Sequence, residues 1–346
     1  MSPAPLGVVV PTLATDMTRI PEYARLADEA GLGSIWAYEM YRSPFTMLTA
    51  AALSTKSALL GTGIATALTR SPFVAANAIA DVDDFSGGRA LLGLATGGPE
   101  LLSSFHSVDP SKPLSKLREY IDVVRVAWEY LHTGSADQYE GKYYRFSNLL
   151  GNPFGGRRLR REQVPIYVAA MGPKLTELAG EKGDGWIGSL LATPEFIDKQ
   201  TRPWLQAGAA RVGRDASKID LCVMVVCSVS PDRDEAIRRA KIQTGLYLAH
   251  PVSTAAATLL GFEHEQQAIQ QAVMGGTPLQ EAVPESIVEA FAIAGTPQEA
   301  LEKLRAWQAA APDVHVVLET PTFPPLSADD SEDCYRNIVE TFAAPS

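Results

Sequence analysis

Short apolar runs alternate along this chain with longer stretches whose apolar positions recur at helical spacing, and Gly, Pro and Ser separate them. The short runs have the length of strands buried on both faces, and the longer stretches fit the amphipathic helices that would cover them. The pattern predicts eight strands, at 6–10, 34–38, 60–66, 90–95, 164–170, 185–188, 219–229 and 314–319. Strands alternating with helices in this way predict a (β/α)8 TIM barrel with insertions. An open doubly wound sheet is the alternative, and it is disfavoured because no G-x-G-x-x-G motif follows the first strand.

The clearest strand–helix–strand unit spans residues 60–95, and both of its strands end in loops rich in small and polar residues. The first strand is followed by Thr69-Arg70-Ser71-Pro72 and the second by Thr96-Gly97-Gly98-Pro99. Barrel enzymes place their sites at the carboxyl ends of the strands, and glycine lets a flat ligand approach the backbone closely. These loops therefore predict a ligand site at this end of the barrel.

We predict a single domain over residues 1–346, with insertions at roughly 98–113, 136–163 and 245–290, where the alternation is interrupted. The last insertion is rich in Ala and Gln and is expected to be helical. The helix predicted over 44–56 is small and apolar on most sides, which indicates contacts on two faces. Either a neighbouring loop crowds this helix or it belongs to a homodimer interface, and we expect a homodimer.

Composition argues against several classes of partner. The formal net charge of −10 argues against nucleic acid or an anionic membrane surface. There is no apolar run of about 18 residues and no basic start, so neither a membrane span nor a signal peptide is expected. The three cysteines, Cys222, Cys227 and Cys334, do not combine with the five histidines in a metal-ligand spacing. They are expected to be buried thiols of a cytoplasmic protein that has no metal site.

Six short motifs follow one another between residues 30 and 190. They are Ala30–Trp36, Leu60–Ile64, Arg70–Pro72, Asp84–Gly93, Arg118–Tyr120, and Ala170–Pro173 with Gly183-Asp184-Gly185. In this order they resemble the luciferase-like monooxygenase superfamily, within its branch that uses the deazaflavin coenzyme F420. The chain is similar to methylene-tetrahydromethanopterin reductases and to actinobacterial F420-dependent oxidoreductases. The resemblance implies a TIM barrel, a homodimer and an F420-dependent oxidoreductase that acts on a small molecule.

The resemblance also implies which residues hold the cofactor. In relatives the third strand carries a non-prolyl cis peptide under the tricyclic ring, which here would be Gly63–Ile64; the alternative is that Gly63 only marks a bulge. Met171-Gly172-Pro173 begin a helix whose N–H groups and dipole suit a phosphate, although an ordinary helix start would look the same. The cofactor-binding residues predicted in this way are Glu39, Met40, Gly63, Ile64, Ala65, Thr96, Gly97, Gly98, Ala170, Met171, Gly172 and Pro173.

Two positions depart from the dehydrogenases of the family. The F420-dependent sugar-phosphate and alcohol dehydrogenases have Asp-His at the end of the second strand, where this chain has Glu39-Met40, and the sugar-phosphate enzymes have a glutamate at Gly98. Oxidation of an alcohol needs a base for the hydroxyl proton. We therefore expect hydride transfer from reduced F420 to a polarised C=C or C=N bond. An FMN-dependent monooxygenase and a cofactor-binding barrel without catalysis are the alternatives.

Tyr41, His106 and Glu100 are the candidate proton donors, because each lies near the carboxyl end of a predicted strand. A bound water is a fourth candidate. Each side chain also has a structural interpretation: Tyr41 as a pocket wall, His106 as a surface residue of a loop, and Glu100 as a charge at a helix start. The basic run Arg157–Arg161 either contacts the anionic oligoglutamate tail of F420 or forms a solvated loop, which is the more ordinary outcome.

Overall fold

Eight parallel strands form a closed barrel in the computed structural model, which describes residues 6–11, 16–148 and 155–344. The ring closes because Glu319 of the last strand pairs in register with Val9 of the first and with Val226 of the seventh. The barrel strands are β1 Gly7–Val9, β2 Ser34–Ala37, β3 Leu59–Thr62 with its continuation Ala65–Thr66, β4 Ala90–Ala95, β5 Ile166–Ala169, β6 Gly185–Gly188, β7 Asp220–Val229 and β8 Val314–Glu319. The predicted TIM barrel is therefore confirmed, and the open sheet is excluded.

Helices cover the outside of the barrel and begin at signals that are visible in the sequence. Proline occupies the first turn of many of them, where its missing N–H is not needed for a helical hydrogen bond. The helices are α1 Ile20–Glu29, α2 Pro44–Ala52, α3 Pro72–Ser86, α4 Pro99–His106, α5 Pro113–Thr133, α6 Pro173–Lys182, α7 Arg202–Arg211, α8 Arg233–Ala249, α9 Thr254–Leu260, α10 Glu263–Gly275, α11 Glu285–Phe291, α12 Pro297–Ala310 and α13 Ala328–Thr341. Shorter helical turns lie at Met17–Arg19, Ala67–Thr69, Pro194–Phe196, Ile197–Thr201, Ala216–Lys218, Pro251–Ser253 and Leu279–Ala282. Within the described ranges, none of these helices combines the length and hydropathy needed to span a bilayer.

The barrel interior is filled by aromatic side chains that face glycines on neighbouring strands. Trp36 on β2 is fully buried, and a Cβ atom at Gly61 of β3 would lie 2.3 Å from its ring. A Cβ atom at Gly185 of β6 would likewise lie 2.3 Å from the ring of Tyr167 on β5. Protein interiors are packed too closely to accept such added atoms without displacement. Glycine at these two positions is thus required by the rings that it contacts.

A β-bulge interrupts β3 near the carboxyl end of the barrel, which we call the mouth. β3 pairs Gly61 with Leu91 of β4, and its continuation pairs Ala65 with Leu94. Three residue steps on β4 therefore face four on β3, and one residue of β3 stays outside the ladder. The bulge ends the regular pairing of β3 where the ring of the cofactor was expected to lie.

The predicted cis peptide at Gly63–Ile64 is wrong. The cis bond found among the described residues is Pro324–Pro325. Gly63 N donates to Ala37 O at 2.8 Å, so the bulged backbone continues to pair with β2. The Thr62 hydroxyl donates to Gly93 O and accepts from Gly93 N, both at 2.8 Å. These two bonds connect β3 to β4 where backbone pairing between the strands is interrupted. A bulge held by the Thr62 side chain thus stands where the cis bond was expected.

One strand was missing from the sequence prediction. Ala292–Gly295 pairs in parallel with Val226–Val229 at the end of β7. Because Val226 pairs with β8 on its other side, the additional strand lies on the β6 side of β7, beyond the end of β6. Its residues, Ala-Ile-Ala-Gly, follow α11 without a turn signal, so local sequence does not separate them from the preceding helix.

The segments predicted as insertions carry secondary structure of their own. Segment 98–113 contains α4, and segment 245–290 contains α9, α10 and most of α11. In segment 136–163, Tyr139–Glu140 pairs antiparallel with Arg145–Phe146 as a small hairpin. Residues 149–154 of this segment lie outside the described residues.

The basic run lies away from the mouth. Arg157 pairs with Asp81 and Asp84 of α3, at 2.8 and 2.7 Å between nitrogen and oxygen. Arg161 donates to the carbonyl of Ala90, the first residue of β4, at 2.6 Å. Since that residue marks the amino end of the barrel, these two arginines hold α3 against β4 and do not face a ligand at the mouth.

Candidate active site

The loops after β2, β3, β4 and β5 meet at the mouth and bring the predicted cofactor-binding residues together. Met40 is partly exposed and packs against the cluster of side chains that fills the barrel interior. Of the other predicted residues, the structure buries Gly63, Ala65 and Ala170, leaves Glu39, Ile64, Thr96, Gly97, Gly98, Met171 and Gly172 partly exposed, and exposes Pro173. Their roles stay predictions, but the loops that carry them follow four adjacent parallel strands, so residues spread over more than a hundred positions lie on the surface at the mouth.

Glu39 is bound by protein groups at the rim of this surface. Thr66 N donates to Glu39 Oε2 at 2.7 Å, and Arg70 donates to the same oxygen at 2.9 Å and to Oε1 with its other amino group. Both side chains are largely buried, and the Arg70 guanidinium lies 5.2 Å from the ring centroid of Phe45. The R-S-P segment therefore joins the loop after β3 to the loop after β2. The predicted contact between Glu39 and a cofactor stays a prediction.

The two glycines after β4 differ in the space around them. Gly97 has a φ of +83°, and a Cβ atom there would lie 2.6 Å from Thr66 Cγ2, so a side chain would be strained and crowded. A Cβ atom at Gly98 would meet only Leu101, at 3.9 Å. Space beside Gly98 is thus open, at the position where the resemblance places a glutamate in the sugar-phosphate enzymes.

Gly172 offers a similar open position at the start of α6. A Cβ atom there would meet nothing within 4 Å. No side chain caps the amino end of this ten-residue helix, although Ser, Thr, Asp or Asn usually does so. Unsatisfied N–H groups and the positive end of the helix dipole favour an anion. This geometry fits the phosphate of a deazaflavin or flavin nucleotide.

The three predicted proton donors lie at the rim of the mouth. The Tyr41 side chain is 76% exposed, and both Glu100 and His106, on α4, are exposed. A general acid must stay within hydrogen-bond reach of the atom that it protonates. Side chains so open to bulk water do not have that placement in this structure, so their assignment gains no support and stays untested.

A carboxyl group inside the mouth was missed by the sequence analysis. Glu319 is the last residue of β8 and is only 2% exposed. Val9 and Val226, its partners in register, both belong to the interior cluster, so Glu319 points into the barrel. Burial raises the pKa of this carboxyl to about 8, because a charge is poorly solvated there.

A neutral hydrogen-bond network surrounds Glu319. Gln243 on α8 donates from Nε2 to Glu319 Oε1 at 2.8 Å and accepts from Thr322 N at 3.2 Å. The second contact fixes the orientation of the amide, since a backbone N–H can only donate. The Thr322 hydroxyl also lies 2.9 Å from the hydroxyl of Tyr38, which follows β2. The network thus links α8, the loop after β8 and the end of β2 across the mouth.

A second buried polar group, His315, lies deeper in the barrel and belongs to its structure. Its Nε2 is 2.9 Å from Ser34 Oγ, which also accepts from Trp36 Nε1 at 2.7 Å. Burial lowers the pKa of His315 to about 4, so the ring is neutral at physiological pH. Its contact with Ser34 joins β8 to β2 inside the barrel. We assign it no role in chemistry.

A metal centre needs several acidic, histidine or cysteine side chains close together. Within the described residues, no three His, Cys, Asp or Glu side chains are grouped so that they could hold a metal ion. The three cysteines are buried and reduced. The arrangement that is present consists of open glycines at two loops, partly exposed apolar side chains between them and a buried acid beneath. It suits a flat, anionic, organic ligand.

Comparison with known proteins gives a consistent family. The family model of luciferase-like monooxygenases matches residues 4–313. The chain is 30% identical over 296 residues to the 5,10-methylenetetrahydromethanopterin reductase of Methanolobus tindarius, covering 81% of this chain and 84% of the relative. It is 28% identical over 300 residues to the F420-dependent glucose-6-phosphate dehydrogenase of Mycolicibacterium smegmatis, covering 82% of each.

A solved structure agrees with these relatives. The coenzyme F420 dependent tetrahydromethanopterin reductase from Methanopyrus kandleri superposes with a TM-score of 0.78 and 26% identity, over 99% of this chain and 100% of that chain. The superposition therefore includes the barrel and the segments predicted as insertions. This chain belongs to the luciferase-like monooxygenase family, and within it to the group of F420-dependent oxidoreductases.

Proposed function

We propose that this chain is an F420-dependent reductase that transfers hydride from C5 of the reduced deazaflavin to a polarised C=C or C=N bond of a small molecule. When bound, the reduced cofactor supplies the hydride, and the protein supplies binding, orientation and proton transfer. One observation carries the proposal: Met40 and Gly98 stand where, by the resemblance, the dehydrogenases of the family have proton-transfer groups, while the open positions at Gly98 and Gly172 leave room for a cofactor.

The described side chains can hold such a cofactor. Met40, Ile64 and Thr96 would contact its ring system, since each is partly exposed on one of three adjacent loops of the mouth. Gly172 and the first turn of α6 would receive the phosphate. The relatives named as F420-dependent support this choice of nucleotide. FMN would occupy the same surface, and monooxygenation is the outcome that opposes the proposal.

The direction of the reaction follows from the missing base. Removal of a proton from an alcohol needs an acceptor at the reacting oxygen. The thioether of Met40 cannot accept a proton at neutral pH, and Gly98 has no side chain. A polarised C=C or C=N bond accepts hydride without prior loss of a proton, and it needs only a donor afterwards.

The test is reoxidation of reduced F420 in the absence of oxygen. We expect 2-cyclohexen-1-one or a cyclic imine to reoxidise the cofactor when the protein is present. We expect no reduction of oxidised F420 by 2-propanol or glucose 6-phosphate. Efficient oxidation of either alcohol would contradict the proposal, because it would show that the protein removes a hydroxyl proton and works in the oxidative direction.

The phosphate site has a matched pair of variants. Gly172→Asp places a negative charge at the amino end of α6, where the phosphate would lie, and should weaken F420 binding by about tenfold or more. Gly275→Asp is the control, because a Cβ atom there also meets nothing within 4 Å and α10 lies elsewhere on the chain. Equal dissociation constants for both variants, measured by fluorescence titration, would place the phosphate at another position.

A further inference from the structure

Glu319 is a buried acid that the proposed function does not yet use. It lies in the uppermost layer of the barrel interior, in register with Val9 and Val226. Met40 and Tyr247 pack on the same interior cluster and are partly exposed, so the cluster opens toward solvent at this end. Glu319 therefore lies in the layer of the barrel interior nearest the mouth.

Uncharged groups surround this carboxyl. None of the ion pairs between described residues includes Glu319, and its hydrogen bond comes from the neutral amide of Gln243. The titratable groups that face it are the phenols of Tyr247 on α8 and of Tyr38 after β2. The residues of β1 and β7 that pair in register with Glu319 are the valines Val9 and Val226. Since no ion pair among the described residues supplies a cation to stabilise a carboxylate, these neighbours favour the neutral acid.

We infer that Glu319 is the proton donor of the reduction, an assignment that rests on the proposed function. The hydride adds to the electrophilic carbon, and the π-electron pair of the C=C or C=N bond moves to the adjacent atom. That atom takes the proton of the Glu319 carboxylic acid. The carboxylate that remains recovers a proton from solvent, and oxidation of the cofactor accounts for the two electrons.

Gln243 directs this acid. Its Nε2 donates to Oε1 of Glu319, and its own oxygen is engaged by Thr322 N, so the amide cannot turn to accept the acid proton. The proton is thereby directed to Oε2. Gln243 acts as a positioning residue, since it holds the carboxyl without contacting the substrate.

The first test uses the cofactor-free protein. Infrared difference spectra should show the C=O stretch of a protonated carboxylic acid at pH 6 to 7, and the band should disappear as the pH is raised past about 8. Glu319→Gln should remove the band. Glu340→Gln, on the exposed side of α13, should leave it unchanged. A spectrum without this band in the wild-type protein would overturn the inference.

The second test measures reduction of 2-cyclohexen-1-one by reduced F420. Loss of a general acid lowers the rate by about 100- to 10,000-fold. We expect Glu319→Gln to lower kcat within this range while the dissociation constant of F420 stays within about twofold, and Glu319→Asp to recover part of the rate. Wild-type kcat in Glu319→Gln would overturn the inference and leave the proposed function standing. If the wild-type protein bound no F420, the proposed function and the donor role would both fail, whereas the infrared band would still report the buried acid.

Discussion

Replacement of Glu319 by glutamine should change how the stability of the protein depends on pH. The substitution keeps an oxygen that can accept from Gln243 Nε2, which lies 2.8 Å from Glu319 Oε1. It removes the titrating group and adds little volume. Any difference in pH dependence between the two proteins therefore reports the titration of this carboxyl.

The magnitude follows from the two pKa values of Glu319, 4.5 when unfolded and about 8 when folded. Between these values the folded protein binds one more proton than the unfolded chain, so its free energy of unfolding falls as the pH rises. The slope is about 1.4 kcal/mol per pH unit, which gives about 5 kcal/mol over the whole window. Stability from this group is complete below pH 4.5 and is lost as the pH passes 8.

The assay is reversible urea unfolding of the wild-type protein, Glu319→Gln and the exposed control Glu340→Gln at pH 5, 6, 7 and 8. We expect the stability of Glu319→Gln relative to wild type to rise by about 4 kcal/mol between pH 5 and pH 8. The control should follow the wild-type curve. Parallel curves for all three proteins would show that Glu319 is already ionised in the folded state, and the argument for a neutral buried acid would be refuted.

Three further predictions concern the frame of the site. Arg70→Met should lower the free energy of unfolding by about 2 kcal/mol, because the largely buried carboxylate of Glu39 loses its partner. Arg25→Met removes an exposed ion pair and should lower the free energy of unfolding by under about 0.5 kcal/mol. Urea unfolding measures both. Gly61→Ala should destabilise by about 1–3 kcal/mol through the clash with Trp36, and a melting temperature equal to that of Gly275→Ala would contradict this packing. Leu53 is 71% exposed at the end of α2, the helix predicted at the homodimer interface. Leu53→Glu should therefore dissociate the predicted dimer, because it places a charge in an apolar contact. Light scattering that shows a wild-type monomer at micromolar concentration would rule the dimer out.

The strands of the barrel could be predicted because local sequence determines them. The predicted bounds of strands 90–95 and 185–188 agree with the structure at both ends. A charged residue stands directly before each apolar run, Arg89 in the first case and Asp184 in the second. The strand Ala292–Gly295 could not be predicted in this way. It is held by pairing with Val226–Val229, more than sixty positions earlier, and its own residues carry no strand signal.

The parts of the candidate site that lie in glycine-rich loops could be predicted from the sequence. The part that depends on the burial of a side chain could not. The open positions at Gly98 and Gly172 lie in loops whose composition already indicated a ligand. Glu319 looks like any charge at the end of a strand, and its burial arises from Gln243, 76 positions away, and from the loop that contains Thr322. The cis bond expected at Gly63–Ile64 failed for the same reason, since the bulge depends on how β4 pairs with β3.

The central claim is that the mouth of this barrel binds F420 and uses it for hydride transfer. The most direct measurement is a parallel titration of the purified protein with F420 and with FMN, followed by tryptophan fluorescence, with oxygen uptake recorded for each reduced cofactor. We predict that F420 binds more tightly than FMN and that the protein with reduced F420 consumes no oxygen. Tighter binding of FMN together with oxygen consumption would contradict the account and would identify a monooxygenase.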